Sequence, residues 1–400
     1  MGDLPLSRRK LLAGALLFGC SDKFRGEDGE NAPTPTPTPD ATGCADPFAG
    51  GKLEGIVPFT DATAPLDVAT SEGLNGRLYT DLSKLEPSNL ITPNETHYIR
   101  TRYPAIPDPN APWKIAVNGL VTTPFDLTLE ALAPKVKKDL GPFVMECSGN
   151  GSFAGFGMLS AARWSGALIE DVLPLLSPLP KAKRILISGF DTYAMTEPTN
   201  STPGASWIFS IEDLIAARAM LATEMNGTPL PRDHGYPIRL FVPNWYGCSC
   251  IKWVDTITLV DDEAPATSQM KEYAARTHQT GTPDLARDYR PATIDQAAMP
   301  IRIEKWRVAD RPLYRVVGIM WGGYQVTDKL MIRFTPTSDF TRVDVCPQQS
   351  QNATWTLWSH AWHPTEVGEY AITLKVDDPS IPTKRLDQGF YRRRTTITEV

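Results

Sequence analysis

The sequence predicts an α+β protein in which a mixed α/β domain is followed by an all-β sandwich of the immunoglobulin type. Its 400 residues, 42% of them hydrophobic, are enough for two separate hydrophobic cores. From about Met299 onward the chain changes to short alternating apolar runs, spaced about a dozen residues apart, as in a β-sandwich. The 36 prolines and 29 glycines indicate many turns between short elements.

The first 20 residues are typical of a twin-arginine export signal. Arg8 and Arg9 precede a short apolar run from Leu11 to Phe18, which is too short to cross a bilayer as a mature helix. The ending LFGC resembles a lipoprotein cleavage site, so two outcomes stay open, lipid attachment at Cys20 or simple cleavage. Both outcomes predict a periplasmic protein. A disordered basic terminus followed by a core helix is the remaining alternative.

Residues 21–55 are predicted to be a linker. The Pro-Thr repeat over residues 31–40 stays extended because it has no apolar side chains to bury. The twin-arginine route exports folded proteins, commonly around a cofactor that was inserted in the cytoplasm. We therefore expect a spacer that separates a folded domain from its anchor.

Between the linker and the sandwich, the pattern predicts alternating strands and short helices. The clearest helix covers residues 210–227, because Ser210 can cap its start, Asp213 lies in its first turn and Gly227 follows its end. A second short helix is predicted within residues 125–140. Strands are predicted over residues 113–121, 236–247 and 250–262.

Charge and cysteine content exclude several classes of function. The net charge of −6 disfavours binding to nucleic acid. The six cysteines form no disulfide framework, and a bond between Cys248 and Cys250 would be strained. There is no C-x-x-C-H sequence for attached haem and no pair of cysteine pairs for zinc, so any metal must have few protein ligands. The glycines of residues 149–157 lack the strand and helix context of a dinucleotide-binding loop.

The segment FVMECSGNGSFAGFG, residues 143–157, contains one cysteine, Cys147. A lone cysteine in a β-rich region is commonly a small buried hydrophobic residue. However, ECSGN followed by SAARWSGALIEDVLPLL resembles the sulfite oxidase family of molybdenum enzymes, in which C-x-G-N contains the metal-binding cysteine. Three further segments resemble the cofactor-binding stretches of that family: residues 96–104, 224–247 and 251–260.

This resemblance implies a molybdopterin-binding oxidoreductase domain over residues 56–275 and an immunoglobulin-like dimerisation domain over residues 285–400. It implies oxygen-atom transfer on a small sulfur compound or on carrier-bound sulfur. Because the chain has no haem-binding segment, we expect the electrons to pass to a separate cytochrome c. A homodimer is also expected. Two alternatives stay open, a sulfoxide reductase of the same fold and a non-catalytic lipoprotein whose sandwich binds another protein.

The resemblance also implies the roles of individual residues. Cys147 is the implied molybdenum ligand, and a soft thiolate suits a metal that is otherwise bound by dithiolene sulfur and oxo groups. Arg100 and Tyr273 are the implied catalytic residues, with Tyr273 expected to hydrogen-bond the oxo group or the substrate. The residues implied to bind the cofactor are Arg100, Arg102, Asp191, His234, Arg239, Cys250, Ile251 and Lys252.

Each of these residue types also has a purely structural interpretation. His234 could lie in a surface turn, since Arg and Asp precede it. Arg239, inside a predicted strand, could pair with an acid, and Trp164 is expected to serve packing. Tyr273 occurs in a polar stretch in which an exposed tyrosine would be ordinary.

The sequence departs from the family where the substrate is expected to bind. Sulfite-oxidising members continue C-x-G-N with two arginines, whereas this chain has Gly151 and Ser152. A further family arginine, in the sandwich domain, is replaced by Trp355. Because guanidinium groups bind oxyanions in desolvated pockets, we do not expect free sulfite as the substrate. The chain resembles the sulfane dehydrogenase branch more closely, and Phe153, Phe156 and Trp355 are expected to suit a less charged pocket.

Overall fold

The computed structural model describes residues 46–103, 112–191, 204–323, 325–344 and 354–400. The predicted export signal, the lipidation site at Cys20 and the Pro-Thr repeat lie outside these ranges, as do Cys44 and Cys346. Within the ranges, no helix combines the length and the apolar character needed to cross a membrane.

Strands outnumber helices in the described residues. The strands are β1 Lys52–Val57, β2 Lys114–Gly119, β3 Phe125–Thr128, β4 Val136–Lys137, β5 Pro142–Glu146, β6 Leu159–Leu168, β7 Arg184–Gly189, β8 Ser206–Ser210, β9 Met220–Met225, β10 Thr228–Pro229, β11 Arg239–Phe241, β12 Val254–Val260, β13 Ala297–Val308, β14 Arg311–Trp321, β15 Leu330–Arg333, β16 Thr341–Arg342, β17 Thr356–Trp362, β18 Gly368–Val376 and β19 Arg393–Ile397. The α-helices are α1 Leu129–Leu132, α2 Ile169–Leu176, α3 Ile211–Ala216, α4 Ser268–Tyr273 and α5 Lys384–Asp387.

The first domain contains two sheets around one hydrophobic core. One sheet has the order β3-β2-β12-β7-β8, and its β2–β12 pair is parallel. The other has the order β10-β9-β6-β4, with β11 added on β9 and β5 on β6. The helices of this domain have at most eight residues and contact β3, β6 and β8, so the sheets determine where most side chains of the site lie.

Two predicted helices are shorter than expected. The helix predicted over residues 210–227 ends with α3 at Ala216, although Ser210 caps it as predicted, accepting from the Asp213 N–H at 3.1 Å. Arg218 then adopts a left-handed φ of 54°, and the apolar segment after it forms β9 between β6 and β11. Pairing on both sides outweighs helix propensity there. Within residues 125–140, β3 comes first, and α1 ends before Pro134.

The second domain is a sandwich of two four-stranded antiparallel sheets, as predicted. Their orders are β1-β13-β14-β17 and β16-β15-β18-β19, and their buried residues form one core. The strand β1 pairs with β13, so residues 52–55, predicted as the end of the linker, belong to a sandwich sheet instead. An unpaired edge of β13 favours this addition, because its backbone groups need partners.

Candidate active site

Cys147 lies in a tight turn directly after β5. Its N–H donates to the Met158 carbonyl, and its carbonyl accepts from the Asn150 N–H, both at 2.9 Å. The buried Asn150 side chain accepts from the Met158 N–H at 3.1 Å and so closes the turn. The N–H of Gly149 lies 3.4 Å from Cys147 Sγ. The C-x-G-N spacing therefore fixes the thiol beside a backbone donor.

A cavity lies beside this turn, with about 760 Å³ of empty space including the part open to solvent. The structure brings almost all of the predicted site residues to its wall. The predicted residues that line it are Arg100, Cys147, Asp191, His234, Arg239, Cys250, Ile251, Lys252 and Tyr273. Their roles toward a cofactor or substrate remain predictions.

Arg102 is the predicted site residue that does not line the cavity. Its Nε lies 3.3 Å from Asp233 Oδ2, and its Nη1 donates to the Ser71 carbonyl at 2.9 Å. Asp233 does line the cavity. Arg102 therefore contacts a residue of the wall, while its own guanidinium is bound elsewhere.

Arg239 is a buried cation without a carboxylate partner among the described residues. Its side chain is 3% exposed, and Nη1 and Nη2 donate to the His234 and Cys250 carbonyls, each at 3.0 Å. Its Nε has no hydrogen-bond partner. Burial lowers the pKa of Arg239. Arg239 therefore does not pair with an acidic side chain in the described residues, contrary to that alternative.

Lys252 is a second cation in the wall without a carboxylate in ion-pair contact in the described ranges. Its Nζ donates to the Thr101 carbonyl and, at 2.8 Å, to the Asp233 carbonyl. Burial, with a smaller effect from Arg239, lowers the pKa of Lys252 to about 7. Burial raises the pKa of nearby Asp191, which accepts from the Ala205 N–H at 2.9 Å. In the described ranges, Arg239 and Lys252 thus lack the directly contacting carboxylate that buried cations normally have.

His234 is buried at the end of a short 3₁₀ turn, Arg232–His234, and not exposed. Its Nε2 lies 3.1 Å from the Asn94 carbonyl, which can only accept, so Nε2 carries the proton and Nδ1 is an acceptor. Burial, with the neighbouring His97, holds the pKa of His234 well below its ordinary value. The two rings meet edge to face, 5.1 Å apart. His234 is therefore a neutral group.

Tyr273 ends α4 and is 5% exposed, so it is not the exposed tyrosine that the polar sequence allows. Burial raises its pKa to about 12, which keeps the phenol protonated and able to donate. Arg100 is positioned through its backbone, since its carbonyl accepts from Arg77 Nη1 at 2.7 Å. Arg77 Nη1 also donates to the carbonyls of Leu74 and Gly76.

The three aromatic residues expected in a less charged pocket do not line this cavity. Trp355 is buried in the sandwich core, and its Nε1 donates to the Leu90 carbonyl at 2.9 Å. Phe156 lies in the same core against Tyr391, and Phe153 is 63% exposed. That expectation is wrong, because the segment after Gly151 turns toward the sandwich. Trp164 packs as expected, stacked 4.5 Å from the ring of Phe241.

Among the residues in or beside the wall that sequence reasoning missed, three carry a titratable side chain close to the site: Asp233, Cys248 and Arg276. Asp233 and Cys248 line the cavity, and burial raises the pKa of the Cys248 thiol to about 12. Arg276, in the 3₁₀ turn after α4, lies next to Tyr273 and the Cys147 turn. The adjacency of Asp233 to His234 could have indicated it. No sequence signal marks Arg276.

The sandwich domain also contributes to the Cys147 turn. Glu146, directly before Cys147, is fully buried and accepts from Tyr391 Oη at 2.7 Å and from Trp321 Nε1 at 3.0 Å. Arg385 Nη1 lies 3.6 Å from the Glu146 carboxylate, and Arg385 Nη2 donates to the Ser148 carbonyl at 2.9 Å. Three sandwich side chains therefore fix both neighbours of Cys147.

The residues of the cavity fit a phosphorylated, metal-binding cofactor. The Arg239 Nε lacks a partner, Lys252 is hydrogen-bonded to backbone carbonyls, and His234 presents an acceptor. Such groups are satisfied by an anion and by a ligand with several hydrogen-bond donors and acceptors. Cys147 adds one soft sulfur donor to the same wall.

Comparisons with known proteins identify the domain. Residues 102–268 match the family described as oxidoreductase molybdopterin binding domain. Sulfite oxidase from Gallus gallus is 30% identical over 207 residues, which are 48% of this chain and 44% of that protein. The fold agrees with a crystal structure of the sulfane dehydrogenase SoxCD from Paracoccus pantotrophus, with a TM-score of 0.60, 19% identity, and coverage of 89% of this chain and 93% of that one. Over the matched residues the chain is thus similar to molybdopterin-binding oxidoreductases, and its fold is similar to that of the SoxCD structure.

The matched relatives differ in the reaction that their names describe. The NADPH nitrate reductase of Emericella nidulans is 28% identical over 275 residues, which are 60% of this chain and 30% of that protein. This chain thus spans less than half of the Gallus gallus sulfite oxidase and less than a third of the Emericella nidulans nitrate reductase. The comparisons therefore show the fold and the matched domain, and the reaction has to be argued from the site.

Proposed function

We propose that this protein is a molybdenum-cofactor oxidoreductase that transfers an oxygen atom on a sulfur compound. The observation that supports this most is the cavity wall itself. It combines the Cys147 thiol with two buried cations, Arg239 and Lys252, that lack carboxylate partners in the described ranges. A protein that only bound another protein would have no use for buried, unneutralised cations, which cost free energy.

These contacts suggest a separate role for each side chain of the cavity wall. Cys147 would hold the metal, and Arg239, Lys252 and His234 would bind the phosphate and pterin groups. When bound, the cofactor supplies two-electron oxygen-atom chemistry at its metal. Tyr273 keeps its proton and donates a hydrogen bond, while Arg100 adds positive charge on the same wall. In the oxidative direction the sulfur compound gains one oxygen atom from water, and two electrons and two protons leave.

We propose a substrate other than free sulfite, with carrier-bound sulfur as the first candidate. Gly151 and Ser152 replace the arginines that follow C-x-G-N in sulfite-oxidising members, and Trp355 replaces the sandwich arginine. Sulfite would then lack part of the guanidinium pairing that compensates its desolvation. Oxidation of sulfite with micromolar affinity by the molybdenum-loaded protein would contradict this.

A reductive reaction is the second candidate, because nitrate reductases are among the matched relatives. A sulfoxide reductase of the same fold would use the same cavity in the opposite direction. The two directions separate in one assay, in which a panel of sulfur compounds is tested with an artificial electron acceptor and a panel of sulfoxides and nitrate with a reduced electron donor.

Molybdenum content decides between an enzyme and a binding protein. We expect about one molybdenum atom per chain in natively exported protein, measured by elemental analysis. If this protein contained no molybdenum, although a control enzyme produced under the same conditions did, the result would support the non-catalytic lipoprotein instead.

The export route, anchor, acceptor and assembly are part of the proposal. We propose twin-arginine export to the periplasm, with Cys20 either lipidated or removed, electron transfer to a cytochrome c, and a homodimer. Replacing Arg8 and Arg9 with lysine should retain the protein in the cytoplasm. Fractionation of cells that express the two forms tests this, with a Sec-exported protein as the control.

A further inference from the structure

The loss of the arginines after C-x-G-N raises the question of whether any cation faces the substrate side of Cys147. Arg276 lies at that place in space, although it comes from a different element. A side-chain Cβ at Gly149 would be 3.5 Å from Arg276 Nη1 and 3.8 Å from Cys147 Sγ. The glycine therefore leaves open the space between the guanidinium and the thiol.

Two contacts fix Arg276 there. Its guanidinium carbon lies 5.4 Å from the centroid of the Tyr273 ring, within the range of a cation–π contact. Its backbone carbonyl accepts from Arg385 Nη2 at 2.7 Å, and the same nitrogen donates to the Ser148 carbonyl at 2.9 Å. One sandwich side chain thus connects the Arg276 turn to the Cys147 turn.

The charge of Arg276 is available for a ligand. Its side chain is exposed, and no carboxylate lies in ion-pair contact with it in the described part of the chain. Arg77 differs, since its Nη1 donates to three backbone carbonyls. Arg276 is thus a guanidinium that can reach solvent beside the thiol.

We propose that Arg276 is a substrate-binding cation that gives the site its affinity for anionic sulfur compounds. It replaces in function the arginines that the Cys147 segment lacks, and it comes from the turn after α4. The inference rests on the proposed function and narrows its substrate class, because an uncharged sulfoxide would gain little from a guanidinium at this place. Carrier-bound sulfur with an anionic terminus satisfies both proposals.

The test is equilibrium binding of sulfate, a redox-inert dianion, to the molybdenum-loaded protein by titration calorimetry. We expect Arg276→Gln to weaken sulfate binding by about tenfold or more, as for loss of one charge-assisted contact. Arg276→Lys should recover part of the affinity, since lysine keeps the positive charge but cannot donate two parallel hydrogen bonds as a guanidinium does. Arg311→Gln removes an exposed arginine from the sandwich strand β14 and should change nothing.

A second variant tests the geometry. Gly149→Ala places a methyl group between the guanidinium and the thiol at ordinary van der Waals distances, so the protein should fold and sulfate binding should weaken. Unchanged sulfate affinity in loaded Arg276→Gln protein, or no sulfate binding by the loaded wild type, would overturn the role of Arg276 and leave the proposed function standing. If natively exported protein contained no molybdenum, the proposed function would be contradicted, and the role of Arg276 with it.

Discussion

At the scale of single residues, the chemistry of this cavity depends on side chains that are costly to bury. Arg239 is 3% exposed with an unpartnered Nε, and Lys252 is hydrogen-bonded to backbone carbonyls and lies over the Trp253 ring. Unpaired buried cations destabilise a folded chain unless a ligand neutralises them. The cofactor-free protein should therefore have a lower free energy of unfolding than the cofactor-loaded protein.

Lys252 gives this cost a pH dependence. Its pKa is about 7 in the folded protein, against 10.5 for an ordinary lysine. Between these values the unfolded chain binds a proton that the folded chain does not, so stability rises with pH by up to about 1.4 kcal/mol per unit. Urea unfolding of cofactor-free protein from pH 7 to 10 measures this rise, which Lys252→Met should remove.

The loaded protein is the internal control for that experiment. A bound phosphate favours the protonated amine and raises the pKa of Lys252 toward its ordinary value. The difference between wild type and Lys252→Met should then lose its pH dependence. An identical slope in loaded and cofactor-free protein would place the anion elsewhere.

Cys147→Ser separates metal binding from folding. The thiol is 4% exposed and contacts the Gly149 N–H, and serine has nearly the same shape. We expect loss of molybdenum and of all oxygen-transfer activity, with the melting temperature of the cofactor-free protein nearly unchanged. Cys250→Ser is the matched control, because Cys250 contributes its backbone carbonyl to Arg239 while its sulfur faces the Val242 backbone, so this variant should keep its molybdenum. An active Cys147→Ser protein would defeat the assignment.

At the scale of elements, the turns of the cavity wall determine the site more than its helices do. Gly235 ends the turn of His234 at a φ of 109°, and an added Cβ would lie 2.9 Å from Arg239 Cβ. Gly235→Ala should therefore cost about 1–3 kcal/mol and reduce cofactor retention. Gly227→Ala is the control, because Gly227 also has a positive φ, of 78°, but meets nothing within 4 Å. Denaturant titration measures the free energy of unfolding, and molybdenum content measures cofactor retention. Equal decreases in Gly235→Ala and Gly227→Ala would show that the contact with Arg239 is not important.

Local sequence patterns predicted an element correctly where the tertiary contacts of that segment favour the same secondary structure. The Ser210 cap and the alternation of residues 113–121 both appear in the structure, as a capped α3 and as β2. The extension of the helix to residue 227 failed, because pairing of β9 with two strands is invisible to a local pattern. Boundaries set by tertiary contacts were thus the part that could not be predicted.

At the scale of the whole molecule, the sandwich is part of the active-site structure. Tyr391 Oη donates to the buried Glu146 carboxylate at 2.7 Å, one residue before Cys147. Tyr391→Phe should lower the free energy of unfolding by about 1.5–3 kcal/mol, the value of a hydrogen bond to a charged group. Tyr370→Phe removes a hydroxyl that donates to the Glu366 carbonyl nearer the surface and should cost less. Urea unfolding compares the two, and an equal cost would show that Glu146 does not depend on Tyr391.

The resemblance to the superfamily predicted which residues surround the cavity, with Arg102 as the exception. It did not predict Trp355 in the sandwich core or Arg276 beside Gly149. Both are contacts between segments far apart in the chain, and a position in a motif carries no information about a side chain that arrives from elsewhere. The expectation that Phe153, Phe156 and Trp355 line the pocket failed for this reason.

The pairing of β1 with β13 has a consequence for biogenesis. The ribosome makes β1 first and its partner only after the whole cofactor-binding domain has emerged, so a nascent chain cannot complete the sandwich early. Because Glu146 and Ser148 are fixed by Trp321, Tyr391 and Arg385, the cysteine turn also reaches its final form only after these sandwich residues have been made. A cofactor that needs the completed turn would then be inserted after synthesis of the sandwich, and not during synthesis of the first domain.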